Sequence, residues 1–249
     1  MFPYKDENPT ERPAYVTIGI IVLNVAIWLF AEGMGSTGPM ARAVCQYGLI
    51  PGELLRSIPV GTHVRLAPGV SCVTGLPNYW AVLTSMFTHG GWLHIIGNMW
   101  FLWVFGNNIE DAMGHGRFIL FYLLCGVVAA GAQVLMAPNS AVPMVGASGA
   151  ISGVLGAYLL LYPRVRVHVL VFLGFFVTTI VLPAYLMLGY WALLQVVSGV
   201  LTLGGPDMGG VAVFAHIGGF LAGILLIHLF IRADYVARRP AAIARWRES

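Results

Sequence analysis

Charged side chains are scarce in this sequence. Lysine, arginine, aspartate and glutamate make up 9% of the 249 residues, whereas 58% are hydrophobic and the mean hydropathy is +0.82. Because a soluble domain has roughly 25% charged residues, this composition excludes an ordinary soluble globular protein. It predicts a chain that crosses a membrane several times, with its function located largely within the bilayer.

Cysteine and net charge are also low. The three cysteines, Cys45, Cys72 and Cys125, are too few for a disulfide framework or a cysteine-based metal site. Cys45 and Cys72 share one long connection, where they could form a bridge or remain two free thiols. The net charge of +3 is small and dispersed, so we expect no nucleic-acid partner.

The apolar residues are grouped into six windows that are long enough, or nearly so, to cross a membrane. They are Tyr15 to Phe30, Trp92 to Phe105, Phe118 to Met136, Ala150 to Leu161, Pro183 to Leu203 and Val211 to Ile231. A further apolar stretch, residues 167–182, is separated from the next window by Pro183 and could be a seventh helix or an interfacial segment. The windows predict an all-α fold, a six-helix membrane bundle.

The distribution of basic residues favours six crossings. With the N-terminus inside, the inner side holds 10 of the 13 lysines and arginines, and the remaining three, Arg42, Arg56 and Arg65, lie in the outer connection. We therefore predict a short cytoplasmic N-terminus (1–14), a membrane domain (15–231) with an extracytoplasmic loop at about 32–90, and a basic cytoplasmic tail (232–249).

The candidate helices carry no carboxylate near their polar residues, because we expect Asp111, Asp207 and Asp234 to fall in loops or in the tail. There is also no HExxH motif and no pair of buried aspartates, so the motifs of zinc and aspartyl hydrolases are missing. We expect no metal and no cofactor. What remains is a set of serines, histidines and one asparagine in the second, fourth and sixth helices, whose first turns should share one level of the membrane.

Each of these polar residues has an interpretation other than catalysis when taken alone. Ser148 stands among glycines and alanines, which is more often a packing feature than a catalytic one. His94 and Asn98 are four residues apart and could simply hydrogen-bond to neighbouring helices. A lone His216 could belong to a proton or ligand pathway.

The set as a whole predicts nucleophilic catalysis. A serine nucleophile needs a base within hydrogen-bond reach and donors for its oxyanion. Ser148 and His216 supply the first pair, since the GxxxG face at Gly219 and Gly223 allows close packing of the two helices. His94, Asn98 and the backbone N–H of Ser148 supply the donors, so the arrangement would be a dyad without an acidic partner.

Three ordered motifs, "HGGWLHIIGN", "GASGAISG" and "AHIGGFLAG", resemble those of the rhomboid family of intramembrane serine proteases, and the likeness extends from about Tyr79 to Ile231. The resemblance implies that Ser148 is the nucleophile, His216 its base, and His94 and Asn98 the oxyanion donors, with His89 structural. It also implies a mobile cap at residues 204–210 and a gate for substrate at the fifth helix. Some relatives stack an aromatic ring on the histidine from the position of Ser152, so here other groups must support His216.

The expected function is therefore an intramembrane serine endopeptidase that cleaves transmembrane segments of membrane proteins. Its partners would be transmembrane substrates and the lipid bilayer, and the short termini suit a multi-pass protein of the bacterial plasma membrane with both termini cytoplasmic. Two alternatives stay open. One is a channel or transporter that uses His94 and His216, and the other is a catalytically silent protein that binds transmembrane helices.

Overall fold

The computed structural model of the chain describes residues 2–67, 69–174, 176–203 and 211–236. The helices in this part of the chain are α1 (Tyr15–Phe30), α2 (Thr37–Tyr47), α3 (Pro51–Leu54), α4 (Ala81–Thr84), α5 (Trp92–Met113), α6 (His115–Met136), α7 (Ser148–Leu161), α8 (Ala184–Thr202) and α9 (Val213–Phe230). The strands are β1 (Phe2–Asp6), β2 (His63–Ala67), β3 (Val70–Val73), β4 (Arg166–Leu173) and β5 (Phe176–Pro183). The predicted cap at 204–210 and residues 237–249 of the predicted tail lie outside the described residues.

Membrane-spanning character is clearest in α6, α8 and α9, which are long and apolar enough to cross a bilayer, while α1 and α7 are shorter apolar helices. The chain is therefore a mostly helical membrane protein. Each of the six predicted windows lies on or largely within a helix of the structure. The number of crossings stays a prediction.

The all-α prediction is incomplete, because residues 167–182 form a β-hairpin and not a helix. Strands β4 and β5 pair antiparallel from Arg166 opposite Pro183 to Leu173 opposite Phe176, and β1 adds to the other edge of β4. The segment is rich in valine, threonine and isoleucine, which favour extended backbone. Gly174, with φ +65°, supplies the left-handed conformation at the turn.

Helix α5 continues two turns beyond the predicted window and includes Asp111, which we had expected in a loop. The helix can bury carboxylates here because each has partners. Glu110 accepts hydrogen bonds from the backbone N–H groups of Val16 and Thr17 at 2.9 and 2.7 Å. Asp111 accepts one from the N–H of Glu11 at 3.0 Å. These carboxylates lie at the opposite end of α5 from His94.

The connection between α1 and α5 is compact. A disulfide joins Cys45 of α2 to Cys72 of β3, with their Cα atoms 5.4 Å apart, and Cys125 is a buried free thiol. Strand β3 pairs antiparallel with β2. Of the two possibilities that the sequence left open for Cys45 and Cys72, the structure has the bridge.

Glycines bring α7 and α9 into backbone contact along parallel axes. A Cβ atom on Gly219 would overlap the carbonyl oxygen of Gly149, and one on Gly223 would overlap that of Gly153. Helix α6 packs on the other side, where a Cβ on Gly153 would lie 2.5 Å from the Cβ of Cys125. Helix α7 is consequently enclosed, with every residue from 149 to 158 buried, so the start of α7 is fixed relative to the start of α9.

The glycine contact predicts a position-specific cost for added methyl groups. Gly223→Ala should lower the stability of the protein by about 1–3 kcal/mol, because the new methyl group meets backbone that cannot rotate away. Gly131→Ala on α6 is the matched control, since a Cβ there has nothing within 4 Å. Thermal unfolding of the purified variants in detergent measures both, and equal melting temperatures would contradict the packing described for α7 and α9.

Candidate active site

Ser148 begins helix α7 directly after a turn that glycine makes possible. Gly146 has φ +122°, and its N–H donates to the carbonyl oxygen of Ser85 at 2.8 Å, which anchors the turn. Because Ser148 stands in the first turn of the helix, its backbone N–H has no acceptor within the helix and is free for a ligand. Its side chain is half-buried.

The side chain of Ser148 meets that of His216. Its Oγ lies 2.7 Å from Nε2 of His216, which is on the first turn of α9. The sequence predicted that glycines would bring these two helices together, and the structure places the hydroxyl and the imidazole within hydrogen-bond distance. A hydroxyl and an imidazole in this arrangement can exchange a proton.

The imidazole of His216 is held from its other side by α8. Nδ1 lies 2.9 Å from Oε1 of Gln195, and the ring of Trp191 lies 5.9 Å from the histidine ring. A carboxamide oxygen only accepts hydrogen bonds, so Nδ1 carries the proton and Nε2 is left with a lone pair toward Ser148. Ser152 takes no part in this support, because its Oγ donates to the carbonyl oxygen of Ser148 at 2.6 Å.

Gln195 is the residue that sequence reasoning missed. A signal was present, since Gln195 is the only side-chain amide in the apolar window from Pro183 to Leu203. An isolated polar residue within a membrane segment is a functional candidate by default. Helical periodicity alone could not say which helix its amide would meet.

His94 and Asn98 lie on one face of α5 and point toward the turn before Ser148. A Cβ on Gly146 would lie 2.5 Å from Nε2 of His94 and 3.6 Å from Nδ2 of Asn98. Nδ1 of His94 accepts the N–H of Gly90 at 3.3 Å, so the proton of the neutral ring is on Nε2. Nδ2 of Asn98 is buried and has no partner among the described residues.

All four predicted site residues line one cavity of about 610 Å³. Its remaining wall is largely apolar, with Phe101, Leu155 and Trp191 among the lining side chains. The N–H donors of His94 and Asn98, the hydroxyl of Ser148 and the imidazole of His216 therefore face a common space. Among the described residues, no group of three or more histidine, cysteine, aspartate or glutamate side chains could hold a metal ion.

The comparisons with known proteins agree on one family. The Rhomboid domain model matches residues 77–233, more than half of the chain, including the whole cavity lining. Rhomboid protease GluP of Bacillus subtilis (strain 168) is 41% identical over 81 residues, which are 32% of this chain and 15% of that protein. Rhomboid-like protein 11, chloroplastic, of Arabidopsis thaliana is 31% identical over 157 residues, or 61% of this chain and 53% of that protein.

A third relative matches over a longer stretch. RHOMBOID-like protein 1 of Arabidopsis thaliana is 28% identical over 237 residues, or 94% of this chain and 56% of that protein. The chain thus covers 15% to 56% of the length of these three relatives. Residues of the three motifs meet at one cavity, and the Rhomboid domain model matches more than half of the chain. The chain therefore belongs to the rhomboid family.

Proposed function

We propose that this chain is an intramembrane serine endopeptidase that cleaves transmembrane segments of membrane proteins. The observation that carries the proposal is the hydrogen-bonded series Ser148 Oγ, His216 Nε2, His216 Nδ1 and Gln195 Oε1, with distances of 2.7 and 2.9 Å. It supplies a nucleophile, a base and a group that sets the tautomer of the base. Relatives named as rhomboid proteases are similar to this chain and support the same reaction class.

In the first half of the reaction, Ser148 would attack the carbonyl carbon of the scissile peptide. Its proton passes to Nε2 of His216 as the bond from Oγ to carbon forms and the carbonyl becomes an oxyanion. His216 then gives that proton to the leaving nitrogen, the C–N bond breaks, and an ester to Ser148 remains. In the second half, His216 takes a proton from water, the hydroxide attacks the ester, and Ser148 leaves with the proton restored.

The oxyanion would be stabilised by donors that lie in place before the substrate arrives. The candidates are Nε2–H of His94, Nδ2–H of Asn98 and the N–H of Ser148. Asn98 would break no hydrogen bond in order to donate, because its Nδ2 has no partner among the described residues. Donors fixed in a space with apolar walls stabilise developing charge more strongly than water does.

We propose Gln195 as the positioning residue for His216, in the place that an aspartate holds in a catalytic triad. A neutral amide can fix the ring and its tautomer without placing a charge in the apolar interior. It cannot stabilise the imidazolium as strongly as a carboxylate can. The site therefore combines a correctly oriented base with modest electrostatic support.

The low burial of α8 supports a substrate that arrives from the lipid. Only Ala184, Met187, Leu188 and Gly199 of α8 are buried, so this helix is the natural boundary for lateral access from the lipid. A substrate helix must unwind locally, because its hydrogen-bonded peptides are otherwise shielded from attack. We further propose six crossings in a bacterial plasma membrane, with both termini cytoplasmic and the start of α7 toward the outer face, where water reaches the ester.

Replacing the nucleophile gives the primary test. Ser148→Ala should reduce cleavage of a single-span substrate in proteoliposomes by at least about 1,000-fold, because the oxygen that forms the ester is removed. Ser198→Ala, the same chemical change at an exposed position of α8, should leave cleavage unchanged. Equal cleavage by the Ser148→Ala variant would reject the proposal. Solute flux into sealed vesicles that survives Ser148→Ala would favour a transporter, and substrate binding without cleavage by the wild type would favour a silent binder.

Asn98→Ala should lower kcat by about 10²- to 10³-fold with little change in KM, because the lost donor acts on the oxyanion and not on the bound peptide. The matched control is Asn78→Ala, since the Asn78 side chain donates to the backbone of Gln46 and neither residue lines the cavity. Steady-state kinetics on the folded variants decides the matter. A variant with unchanged kcat would remove Asn98 from the oxyanion site.

Gln195→Leu should lower kcat by about 10- to 100-fold, because Nδ1 of His216 loses its acceptor and both tautomers become populated. Gln195→Glu keeps an oxygen at the same place and should retain more activity than Gln195→Leu. Gln46→Leu on the exposed face of α2 controls for the change of side chain. If the Leu and Glu variants lost the same activity, packing and not hydrogen bonding would explain the effect of this residue.

A further inference from the structure

Glu32 is a carboxylate buried where no function has yet been given to it. It follows the end of α1, with 0% of its surface exposed, and the chain turns immediately after it at Gly33, which has φ +57°. Oε1 accepts the backbone N–H of His89 at 2.6 Å. Oε2 has no partner among the described residues, and no ion pair of Glu32 is found there either.

The backbone N–H that Glu32 accepts belongs to His89. The N–H of the next residue, Gly90, orients the ring of His94. The N–H of Gly90, the next residue after His89, donates to Nδ1 of His94 at 3.3 Å. The ring of His89 is itself buried and packs edge-on against the ring of His94, with 5.2 Å between centroids. A continuous series of contacts thus leads from the carboxylate of Glu32 to the imidazole that faces the cavity.

The backbone between these contacts needs an external anchor. Residues 90 and 91 are both glycines, which have more accessible conformations than any other residue and lose the most entropy when they are ordered. The side chain of His89 gives this segment little support by hydrogen bonding, because its ring nitrogens have no hydrogen-bond partner among the described residues and only a weaker polar contact with the backbone of Phe87. The hydrogen bond to Glu32 is the polar contact that fixes the N–H immediately before the two glycines.

We propose that Glu32 is a positioning residue for the oxyanion site. By holding the N–H of His89, it places the N–H of Gly90 against Nδ1 of His94 and so keeps the His94 proton on Nε2, toward the cavity. The proposal rests on the proposed function in one respect, the use of Nε2–H in catalysis. The tautomer of His94 is independent of that function.

Burying a carboxylate at this position costs free energy unless its charge strengthens a contact. Burial raises the pKa of Glu32 from 4.5 to about 7, against the opposing effect of the hydrogen bond from His89. Burial also lowers the pKa of His89 to about 3, with a smaller contribution from His94, so that its ring is neutral at neutral pH. Among the described residues, the titratable neighbour recorded for Glu32 is His89, whose ring packs on His94, and Arg42 on the neighbouring α2 is exposed. The ionised carboxylate accepts a stronger hydrogen bond than a neutral carbonyl does.

The sign of the pH dependence follows from the raised pKa. Between pH 4.5 and 7, Glu32 is protonated in the folded protein and ionised in the unfolded chain, so its contribution to stability falls as the pH rises through this range. The hold on His89 strengthens only around pH 7 and above, where the folded carboxylate ionises. Glu32 therefore contributes least to stability above about pH 7, where its ionised carboxylate holds the backbone N–H of His89 most strongly.

The direct test is the tautomer of His94, read from the ring ¹⁵N shifts of histidine-labelled full-length protein in lipid nanodiscs. The His94 signals are assigned by their loss in His94→Asn. The wild type should have protonated Nε2 and unprotonated Nδ1, whereas Glu32→Ala should give a mixture of the two tautomers. Glu53→Ala is the matched control, because Glu53 also accepts a backbone N–H, that of Gly75 at 2.8 Å. An unchanged His94 tautomer in Glu32→Ala would overturn the proposal.

Kinetics supplies the second readout. Glu32→Ala should lower kcat by about 10- to 100-fold with little change in KM, and Glu53→Ala should change neither. Glu32→Gln keeps a neutral acceptor, so its kcat should match that of the wild type at pH 5.5 and fall below it at pH 8.5. A ratio of the Glu32→Gln kcat to the wild-type kcat that is constant with pH would overturn the role of the charge. This comparison does not require that Glu32→Ala folds. Failure of the proposed function would look different. The wild type would neither cleave substrate nor be labelled at Ser148 by a fluorophosphonate, while its His94 tautomer would still depend on Glu32.

Discussion

The structure depends on one contact, the backbone-to-backbone packing of α7 against α9. Two side-chain-free positions on each helix let carbonyl oxygens of one helix approach the Cα atoms of the other. Lipid tails give apolar side chains no reason to prefer a neighbouring helix, so close van der Waals packing of this kind is what holds membrane helices together. It also sets the distance between Ser148 and His216, because each residue stands on the first turn of its helix. The same glycines thus serve stability and the proposed chemistry.

Around this contact, the polar groups are arranged at the two ends of the bundle. At one end, Glu110 of α5 is satisfied by N–H groups in the first turn of α1, and Asp111 by an N–H of the segment just before α1. At the other end, the cavity keeps a buried donor of Asn98 that has no partner among the described residues. Buried polar groups in folded proteins are nearly always paired. The contrast distinguishes an end that secures helices from an end that can receive a ligand.

The sequence predicted the parts of the molecule that have a local signature. The apolar windows located the long helices, and the glycines beside Ser148, Gly219 and Gly223 indicated which helices would meet. It did not predict the extent of α5, because a charged residue such as Asp111 ends an apolar window even when distant partners neutralise its burial. It missed the hairpin of β4 and β5, because a short apolar run looks the same whether it will be helix or strand.

The supporting residues were hidden for a different reason. Gln195 and Glu32 act across long sequence separations, on His216 and on the N–H of His89, and no periodicity connects such partners. The disulfide between Cys45 and Cys72 was one of two possibilities for the same reason. Reactive groups are recognisable from their kind and spacing, whereas the groups that orient them are recognisable only once the fold has brought them together.

The sheet of β1, β4 and β5 has a consequence for how the chain is made. Strand β1 precedes the described helices in the chain, yet its only partner in the sheet is β4, which follows α7. During synthesis β1 therefore cannot pair with β4 until α1, α5, α6 and α7 have been produced. The hairpin of β4 and β5, whose pairing is local, can form as soon as it emerges. The pairing of β1 with β4 is therefore a late, long-range step in the folding of the chain.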